Sequence, residues 1–540
     1  MFKSRFTSCR VGKRGMVAAA HPIAAMAGIK ALWSGGNAMD ACLTMAAVTS
    51  VVMPHMCGLG GDAFLIYYDA SAGEAVALNG SGVAGDGATL ARFAGQGDIL
   101  PQHGIESVAV PGAPLVYDLA CRRFGTFSLK QCFEAGAKIA EQGFVVSPGF
   151  EKALRAARDK LSRYPEASRI FLPGGQPPKA GTWFKQQDLA RTLREFGDQG
   201  AEYFYKGPFA DKFYETNQEL GGAFLGGEFS RHFEDSPGWY RPISTDYRGY
   251  TVLETAPVSA GFMVLEELNL LEQLAVANLD PMSPDMIDLM VKIKQLVFSD
   301  RNAFAGDPAV SGFDVSKLIS KRYAREAVKR IHDKRPETVL PASHGQGDTT
   351  SFVAWDEAGN CCTFIHSIAF SFGSGVVVPG TGVILNNRAG RSFNLMPGHP
   401  NCLEPGKRPM HTLNCYMVLK DGSPFIIGGT PGGDGQPQWN MQMLSLMLDR
   451  GAGPQEAADF PRWTSAPGTD MIALNSSPSL TLESRFPAET IACLAEMGHE
   501  IRVVGPYSGG GGAQIIMKDP ETRALLGGSD RRTEGVALGF

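Results

Sequence analysis

Two adjacent threonines, Thr349 and Thr350, stand between a glycine-rich stretch and an apolar alternating run in "GQGDTTSFVAWDEAGN". Threonine is β-branched and suits a strand, so one interpretation is an ordinary pair of strand residues. A threonine hydroxyl becomes a nucleophile when a base lies beside it, and the α-amine of a chain that begins with threonine can be this base. A free α-amine has a pKa of about 7.7–8 and is therefore partly neutral near pH 7. Cleavage of the peptide bond between Asp348 and Thr349 would create this arrangement.

Three other patterns in the chain are weaker indications of chemistry. His55 and Cys57 lack the spacing of HExxH or CxxC zinc sites and favour packing at a helix end, so we predict no metal and no cofactor. The segment "SFGSG" lacks the first glycine of the GxSxG elbow of serine hydrolases. The glycines of "TPGGDGQPQ" are not followed by the GK[ST] of a phosphate-binding loop, and locally they read as a tight turn.

Composition limits the classes of partner. The 540 residues are 44% hydrophobic and 19% charged, which is ordinary for a soluble globular protein. A net charge of −5 without a basic block argues against nucleic acid and anionic membranes as partners. No segment approaches the ~20 apolar residues of a membrane span, and His21 and Pro22 interrupt the apolar run that a signal peptide needs. Ten scattered cysteines without a CxxC pair predict buried thiols and a reducing, cytoplasmic location.

The elements that must position Thr349 are strands near both ends of the chain. "MVAAA" predicts a buried strand, followed by a helix with Pro22 in its first turn, a helix with Asn37 as N-cap, and a β-hairpin in "GGDAFLIYYDASAGEAVALNG". The middle, roughly 115–330, shows the apolar period of helices. Later patterns predict strands at 349–355, 361–368, 382–386, 412–419 and 424–429, a helix near 437–450 and two final strands. We therefore expect sheets packed under helices, with the strand-rich ends paired across the helical middle.

Six segments stand in order along nearly the whole chain: "GGNAMDACLTMAAVTSVVMPHMCGLGGDAFLIYYD", "SDRNAFAGDP", "DTTSFVAWDEAGN", "SFGSGVVVPGTGVILNN", "TPGG" and "GGSDRRTEGVALGF". In these residues and in their order the chain resembles the gamma-glutamyltranspeptidases, which are N-terminal nucleophile (Ntn) hydrolases. The resemblance implies an α+β fold, the Ntn-hydrolase four-layer αββα sandwich, formed jointly by the two parts of a self-cleaved precursor. These parts would be a large, helix-rich fragment, 1–348, and a small fragment, 349–540, that begins with the nucleophile Thr349.

The resemblance also assigns catalytic roles. Cleavage between Asp348 and Thr349 would expose the nucleophile. Gly432 and Gly433 match the glycines whose backbone N–H groups form the family's oxyanion hole. Ser367 lies at the spacing from Thr349 where the family has a helper hydroxyl, usually that of a threonine.

Other positions correspond to the family's substrate-binding residues. Asn387 ends the "LNN" segment that lines the family's site. His411 and Thr412 stand where the family has paired serines. Arg92 lies near the position of the family's carboxylate-binding arginine, offset by a residue or two.

The departures from the family pattern carry information about the substrate. Ser351 and Ala369 replace a histidine and an asparagine of the family. The acidic stretch that binds the glutamyl α-amine is replaced by "RAGRSF", which contains Arg388 and Arg391. A guanidinium repels an ammonium group but binds a carboxylate through two N–H groups. These changes resemble the amidohydrolase branch of the family, which includes oxamate amidohydrolase and cephalosporin-acylase-like proteins.

The combined prediction is a self-processing amidohydrolase that acts on a small amide bearing a carboxylate, oxamate-like or glutaryl-type. Its acyl group would pass through an ester on Thr349, and its two fragments would form a heterodimer that could associate further. One alternative is a gamma-glutamyltransferase or glutathione hydrolase that acts on γ-glutamyl amides. Another, from a different class, is a catalytically silent binding protein that remains one uncut chain.

Overall fold

A six-stranded antiparallel sheet carries Thr349 at the end of one of its central strands. The computed structural model describes residues 8–236, 238–331, 349–470 and 477–540, so Asp348 lies outside the described residues. The strands of this sheet lie in the spatial order Val536–Gly539, Met16–Ala19, Thr350–Trp355, Cys361–Ser367, Asp62–Asp69 and Glu74–Gly80. The two strand-rich ends of the chain therefore pair with each other, as predicted from the sequence.

A seven-stranded antiparallel sheet lies against the first. Its strands follow the spatial order Arg10–Gly12, Leu525–Ser529, Gln514–Lys518, Ser423–Gly429, Tyr416–Lys420, Tyr250–Glu254 and Ile243–Tyr247. Apolar side chains of the two sheets, such as Phe64, Val353 and Ile427, meet in one buried cluster. The strands around Thr349 are buried at every residue because each sheet face is covered.

Helices cover the outer face of each sheet and complete four layers. Pro22–Trp33, Ala38–Val52 and Ala113–Phe124 contact the six-stranded sheet, and Leu129–Gln142 and Gln187–Gln199 pack outside them. Gly261–Glu272 and Pro454–Asp459 contact the seven-stranded sheet, with Pro284–Phe304 and Gly435–Arg450 packed on Gly261–Glu272. The αββα sandwich expected from the resemblance is confirmed.

The predicted helix starts near the N-terminus are confirmed in detail. Pro22 occupies the first turn of its helix, and the ring of His21 accepts a hydrogen bond from the Ile23 N–H. Asn37 is the N-cap of the next helix, where its side chain and that of Asp40 form a reciprocal capping box. Local residue types were sufficient here because capping involves residues three positions apart.

Two predicted strands differ from the structure. The segment 382–386 forms only an isolated bridge, in which Ile384 pairs with Val377, because its backbone bonds to the preceding loop instead of a sheet. The strand predicted from residue 412 begins at Tyr416. The preceding Leu413 carbonyl accepts hydrogen bonds from the Ala260 N–H and the Ser259 hydroxyl, which occupy the position of a strand partner.

Shorter elements complete the described chain. The further helices are Pro148–Ala156, Arg158–Leu161, Pro165–Phe171, Ala201–Tyr205, Pro208–Glu219, Glu228–Glu234, Pro308–Ser311, Val315–Leu318, Lys321–Ala327, Arg388–Ser392 and Ala488–Glu496. The 3-10 turns are Ile105–Ser107, Pro173–Gly175, Val276–Asn278 and Val328–Ile331. The further strands are Phe144–Val145 with Trp183–Phe184, and Trp463–Ala466 with Ser479–Glu483 and Ile501–Val504. Among the described residues, no helix has the length and apolar character that crossing a membrane requires.

The predicted burial of the thiols holds for most of the ten cysteines, none of which forms a disulfide. Eight are buried, Cys9 is half-buried and Cys493 is exposed. The prediction is wrong for Cys493 because its helix, Ala488–Glu496, lies at the surface and turns few residues inward.

Candidate active site

The hydroxyl groups of Thr349 and Ser367 are in contact. The antiparallel ladder pairs Thr350 with His366, so the next residue on each strand, Thr349 and Ser367, comes to lie at the ladder's end. Thr349 Oγ donates to Ser367 Oγ at 3.0 Å, and both side chains are fully buried. Ser367 Oγ also accepts from the Ala369 N–H at 2.9 Å. The structure thus brings together the predicted nucleophile and the predicted helper hydroxyl.

A buried ion pair continues this row of polar side chains across the sheet. Ser367 lies directly opposite Asp62 on the neighbouring strand, so their side chains share one face. Asp62 Oδ2 accepts from Arg388 Nε at 2.8 Å, and neither side chain is exposed to solvent. Arg388 Nη1, Arg388 Nη2 and Asp62 Oδ1 have no hydrogen-bond partner within the described residues. The pair is joined by a single hydrogen bond and leaves two donor groups and one acceptor available.

Burial and mutual attraction shift the pKa values of this ion pair in opposite directions. Burial raises the pKa of Asp62, and the Arg388 cation opposes that shift. Burial also lowers the pKa of Arg388, and the Asp62 carboxylate opposes it. Each charge depends on the other because neither has solvent to stabilise it.

Arg391 has a different environment from Arg388. Its Nε and Nη2 donate to the two oxygens of Asp470 at 2.8 and 2.9 Å, and its Nη1 donates to the Ala369 carbonyl at 3.0 Å. The guanidinium lies 4.6 Å from the centre of the Phe370 ring. These contacts bind Arg391 to the protein itself, so substrate binding by this residue stays a prediction that the contacts do not favour.

The side chain of Asn387 is hydrogen-bonded to backbone groups around the site. Its side-chain oxygen accepts from the Phe370 N–H at 2.9 Å, and its amide donates to the Gln102 carbonyl at 2.8 Å. These bonds fix the turn that follows Ser367. A direct contact between Asn387 and a substrate remains a prediction.

His411 and Thr412 are buried and partly unsatisfied. His411 Nε2 lies 2.7 Å from Ser81 Oγ, whereas His411 Nδ1 and Thr412 Oγ1 have no partner within the described parts of the chain. Burial lowers the pKa of His411 well below its usual value, and nearby Arg388 lowers it further. The imidazole is therefore neutral at pH 7 and can offer one hydrogen bond to a ligand.

Arg92 is partly exposed and already paired. Its Nε donates to Glu106 at 2.9 Å, and its Nη2 donates to the Gly221 carbonyl. Its predicted role in binding a substrate carboxylate remains a prediction and would require these contacts to break.

The glycine turn precedes the helix Gly435–Arg450. Gly432 and Gly433 have φ of 129° and 57°, values that favour glycine. A Cβ at Gly432 would collide with the ring of Trp439, so the turn needs glycine for space as well. Within the described chain, the Gly432 N–H makes no hydrogen bond. This turn can therefore present a backbone donor to a ligand oxygen.

Sequence reasoning missed four charged residues near these groups, namely Asp62, Arg301, Asp434 and Asp470. Asp62 had a visible signal, because it is an acidic residue at the start of a predicted buried strand. Arg301 is buried, its Nε has no partner within the part of the chain that the structure describes, and its charge contributes to the lowered pKa of His411. Asp434 accepts from the N–H groups of Thr469 and Asp470 at 2.7 and 3.1 Å. No local pattern identifies these last contacts, which depend on packing between distant segments.

His55 packs as the sequence suggested for the end of a helix. Its ring lies 5.4 Å from that of Phe150 and 5.9 Å from that of Phe372. Burial lowers the pKa of His55 to about 3. Within the described residues, no group of three or more His, Cys, Asp or Glu side chains is placed to hold a metal ion.

Known proteins are similar to this chain over nearly its whole length. The gamma-glutamyltranspeptidase family pattern matches residues 24–540. The glutathione hydrolase-like YwrD proenzyme of Bacillus subtilis is 35% identical over 98% of this chain and 99% of its own length. The oxamate amidohydrolase proenzyme of Klebsiella pneumoniae is 32% identical over 99% of this chain and 100% of its own. A crystal structure of cephalosporin acylase from Bacillus halodurans superposes with a TM-score of 0.90 at 33% identity, covering 99% of this chain and 97% of that one.

Sequence, fold and the placement of Thr349 agree with one another. The two relatives from Bacillus subtilis and Klebsiella pneumoniae are named as proenzymes of hydrolases, the solved structure is that of an acylase, and the similarity spans both segments that flank Thr349. The chain is an enzyme of the gamma-glutamyltranspeptidase family.

Proposed function

We propose that this enzyme cleaves itself before Thr349 and then hydrolyses a small amide whose carboxylate binds to Arg388. The substrate class is inferred from the unsatisfied hydrogen-bond donors of the Arg388 guanidinium. Arg388 is fully buried, yet its Nη1 and Nη2 have no partner within the described residues. The large majority of buried side-chain polar atoms have a hydrogen-bond partner, and an unsatisfied one costs about 1–3 kcal/mol. A carboxylate that accepts from both N–H groups removes this cost.

The site residues suggest the following reaction. Once cleavage frees the α-amine of Thr349, that amine accepts the hydroxyl proton while Oγ attacks the amide carbon. The N–H groups of Gly432 and Gly433 stabilise the oxyanion, and the hydroxyl of Ser367 orients Thr349 Oγ. The C–N bond then breaks, the amine leaves with the proton, and the acyl group remains as an ester on Thr349. Water hydrolyses this ester and restores the free hydroxyl.

Acyl groups of oxamate-like or glutaryl-type amides fit this arrangement. The names of the relatives, an oxamate amidohydrolase and a cephalosporin acylase, support amide hydrolysis with more than one acyl group. The two parts, 1–348 and 349–540, would form the heterodimer, because both contribute strands to each sheet.

The second candidate is a gamma-glutamyltransferase or glutathione hydrolase. The observation in its favour is Asp62 Oδ1, an unpartnered acceptor within the described residues that could receive an N–H of a substrate amine. An ammonium group bound there would also lie near the Arg388 cation, which repels it. Of the two reactions, we therefore favour hydrolysis of a carboxylated amide that has no α-amine.

Substitution Arg388→Gln tests this proposal. We expect KM for a glutaryl anilide to rise about 10- to 100-fold, as expected for loss of charge-assisted hydrogen bonds worth about 1.5–3 kcal/mol. The matched control is the methyl ester of the same anilide, which has no charge for Arg388 to bind and should show a KM within about threefold of wild type. An equal change for both compounds would remove Arg388 as the carboxylate anchor.

A further inference from the structure

The hydroxyl of Ser367 depends on a turn with an unfavourable backbone conformation. The Ala369 N–H donates to Ser367 Oγ at 2.9 Å, the same oxygen that accepts from Thr349. Ala369 has φ of 80°, in a region that residues with a Cβ rarely adopt. The surrounding structure must therefore hold this turn in place.

Arg391 supplies that support. Its Nη1 donates to the Ala369 carbonyl at 3.0 Å, and its guanidinium lies over the adjacent Phe370 ring. Asn387 holds the Phe370 N–H from another side at 2.9 Å. Because Arg391 is fully buried, its contact with Ala369 is protected from competing water.

Asp470 connects Arg391 to the glycine turn. It accepts from Arg391 through both carboxylate oxygens, at 2.8 and 2.9 Å. The Asp470 N–H donates to Asp434 Oδ2 at 3.1 Å. Asp434 directly follows Gly433 and precedes the helix Gly435–Arg450. Hydrogen bonds thus connect the glycine turn through Asp470 and Arg391 to Ala369, whose N–H binds Ser367 Oγ.

We propose that Arg391 and Asp470 form a positioning pair, which holds the Ser367 hydroxyl and the Gly432–Gly433 turn in a fixed relation. The pair acts through Ala369 and Asp434 and does not touch the substrate. A displacement of about 1 Å in such an arrangement lowers the rate about 100-fold. The inference rests on the proposed nucleophile, Thr349, and is independent of the substrate class.

A double-mutant cycle of Arg391→Gln and Ala369→Gly tests the pair. Glycine adopts positive φ without steric cost, so the turn forms without Arg391 when glycine occupies position 369. We expect Arg391→Gln to lower kcat about 10- to 100-fold while KM for the carboxylated anilide stays within about twofold. In the Ala369→Gly background the loss in kcat should be at least about fivefold smaller. A raised KM with unchanged kcat, or the same kcat loss in both backgrounds, would overturn the proposal.

Two further variants distinguish a loss of positioning from a loss of folding and from a wrong assignment of the nucleophile. Arg391→Gln with Asp470→Asn removes both charges of this pair, so neither partner remains as a buried ion without the other. This double variant should unfold at the wild-type thermal midpoint and still have a lowered kcat. A wild-type kcat together with a wild-type thermal midpoint would overturn the inference. If Thr349→Ala retains activity, the proposed nucleophile is wrong. If Thr349→Ala is inactive while Arg391→Gln keeps its full kcat, only the positioning role is wrong.

Discussion

Two arginines in one five-residue helix, Arg388 and Arg391, differ in what their donors contact. Within the described residues, Arg388 bonds to Asp62 through Nε alone and its Nη1 and Nη2 have no partner, whereas Arg391 donates through Nε, Nη1 and Nη2 to groups of the protein. The sequence alone does not distinguish them, because both are arginines in the segment "RAGRSF". The structure shows that their contacts differ, and on this basis we propose a carboxylate ligand for Arg388 and support of the backbone near Ser367 for Arg391.

The dependence of Arg388 on Asp62 gives a prediction at this scale. Asp62→Asn keeps the shape of the side chain but leaves the buried Arg388 without a counter-charge. We expect a destabilisation of about 3–5 kcal/mol by urea unfolding, because the remaining charge is uncompensated. The double variant Asp62→Asn with Arg388→Gln should regain most of that stability without regaining a preference for carboxylated substrates. Equal stability of the wild type and Asp62→Asn would contradict the importance of this pair.

At the scale of elements, the site forms where strand ends and turns meet. Strands Thr350–Trp355 and Cys361–Ser367 end at the two hydroxyls, and strand Ser423–Gly429 leads into the glycine turn. The helix Gly435–Arg450 begins directly after that turn, and its Trp439 ring fills the space beside Gly432. The turn is therefore fixed by packing as well as by backbone conformation.

The glycine turn yields the prediction for this scale. Gly432→Ala adds a Cβ that collides with Trp439, so we expect the turn to move and kcat to fall about 100- to 1,000-fold, as for loss of one oxyanion donor. The matched control is Gly422→Ala, since Gly422 also has positive φ, of 76°, but open space around a Cβ. The control carries the backbone strain without the collision. Similar kcat values for the two variants would contradict the role of the turn.

Much of the architecture was predictable from local sequence, whereas the ion pairs that hold the arginines of the site were not. The helix starts at Pro22 and Asn37 depend on residues within one turn, and local patterns identified both. The contact of Asp470 with Arg391 joins residues 79 positions apart, and that of Asp62 with Arg388 joins residues 326 apart. Such pairs follow from how sheets and loops pack, which neither periodicity nor capping encodes.

At the scale of the whole molecule, the segments before and after Thr349 are interleaved. In the six-stranded sheet, Thr350–Trp355 lies between Met16–Ala19 and Cys361–Ser367, and Val536–Gly539 pairs with the other edge of Met16–Ala19. Each sheet therefore requires strands from both segments. A cut before Thr349 would leave this pairing intact.

Interleaving predicts that the cleaved fragments cannot separate without unfolding. In increasing urea, size-exclusion chromatography should show both fragments in one peak up to a single unfolding transition. Circular dichroism and tryptophan fluorescence should report the same midpoint, because the two sheets and their shared core unfold together. Elution of one folded fragment alone below that midpoint would contradict the interleaved fold.

The central claim is that Thr349 becomes the first residue of a chain and acts as the nucleophile. The most direct test is N-terminal sequencing and intact-mass measurement of the purified protein beside Thr349→Ala and Thr349→Ser. We predict that the wild type yields two fragments, one of them beginning Thr-Thr-Ser-Phe, and that Thr349→Ser is also cut because it keeps a hydroxyl. Thr349→Ala should remain one chain of 57.8 kDa. A single uncut chain in all three proteins, or cleavage that persists in Thr349→Ala, would contradict the account.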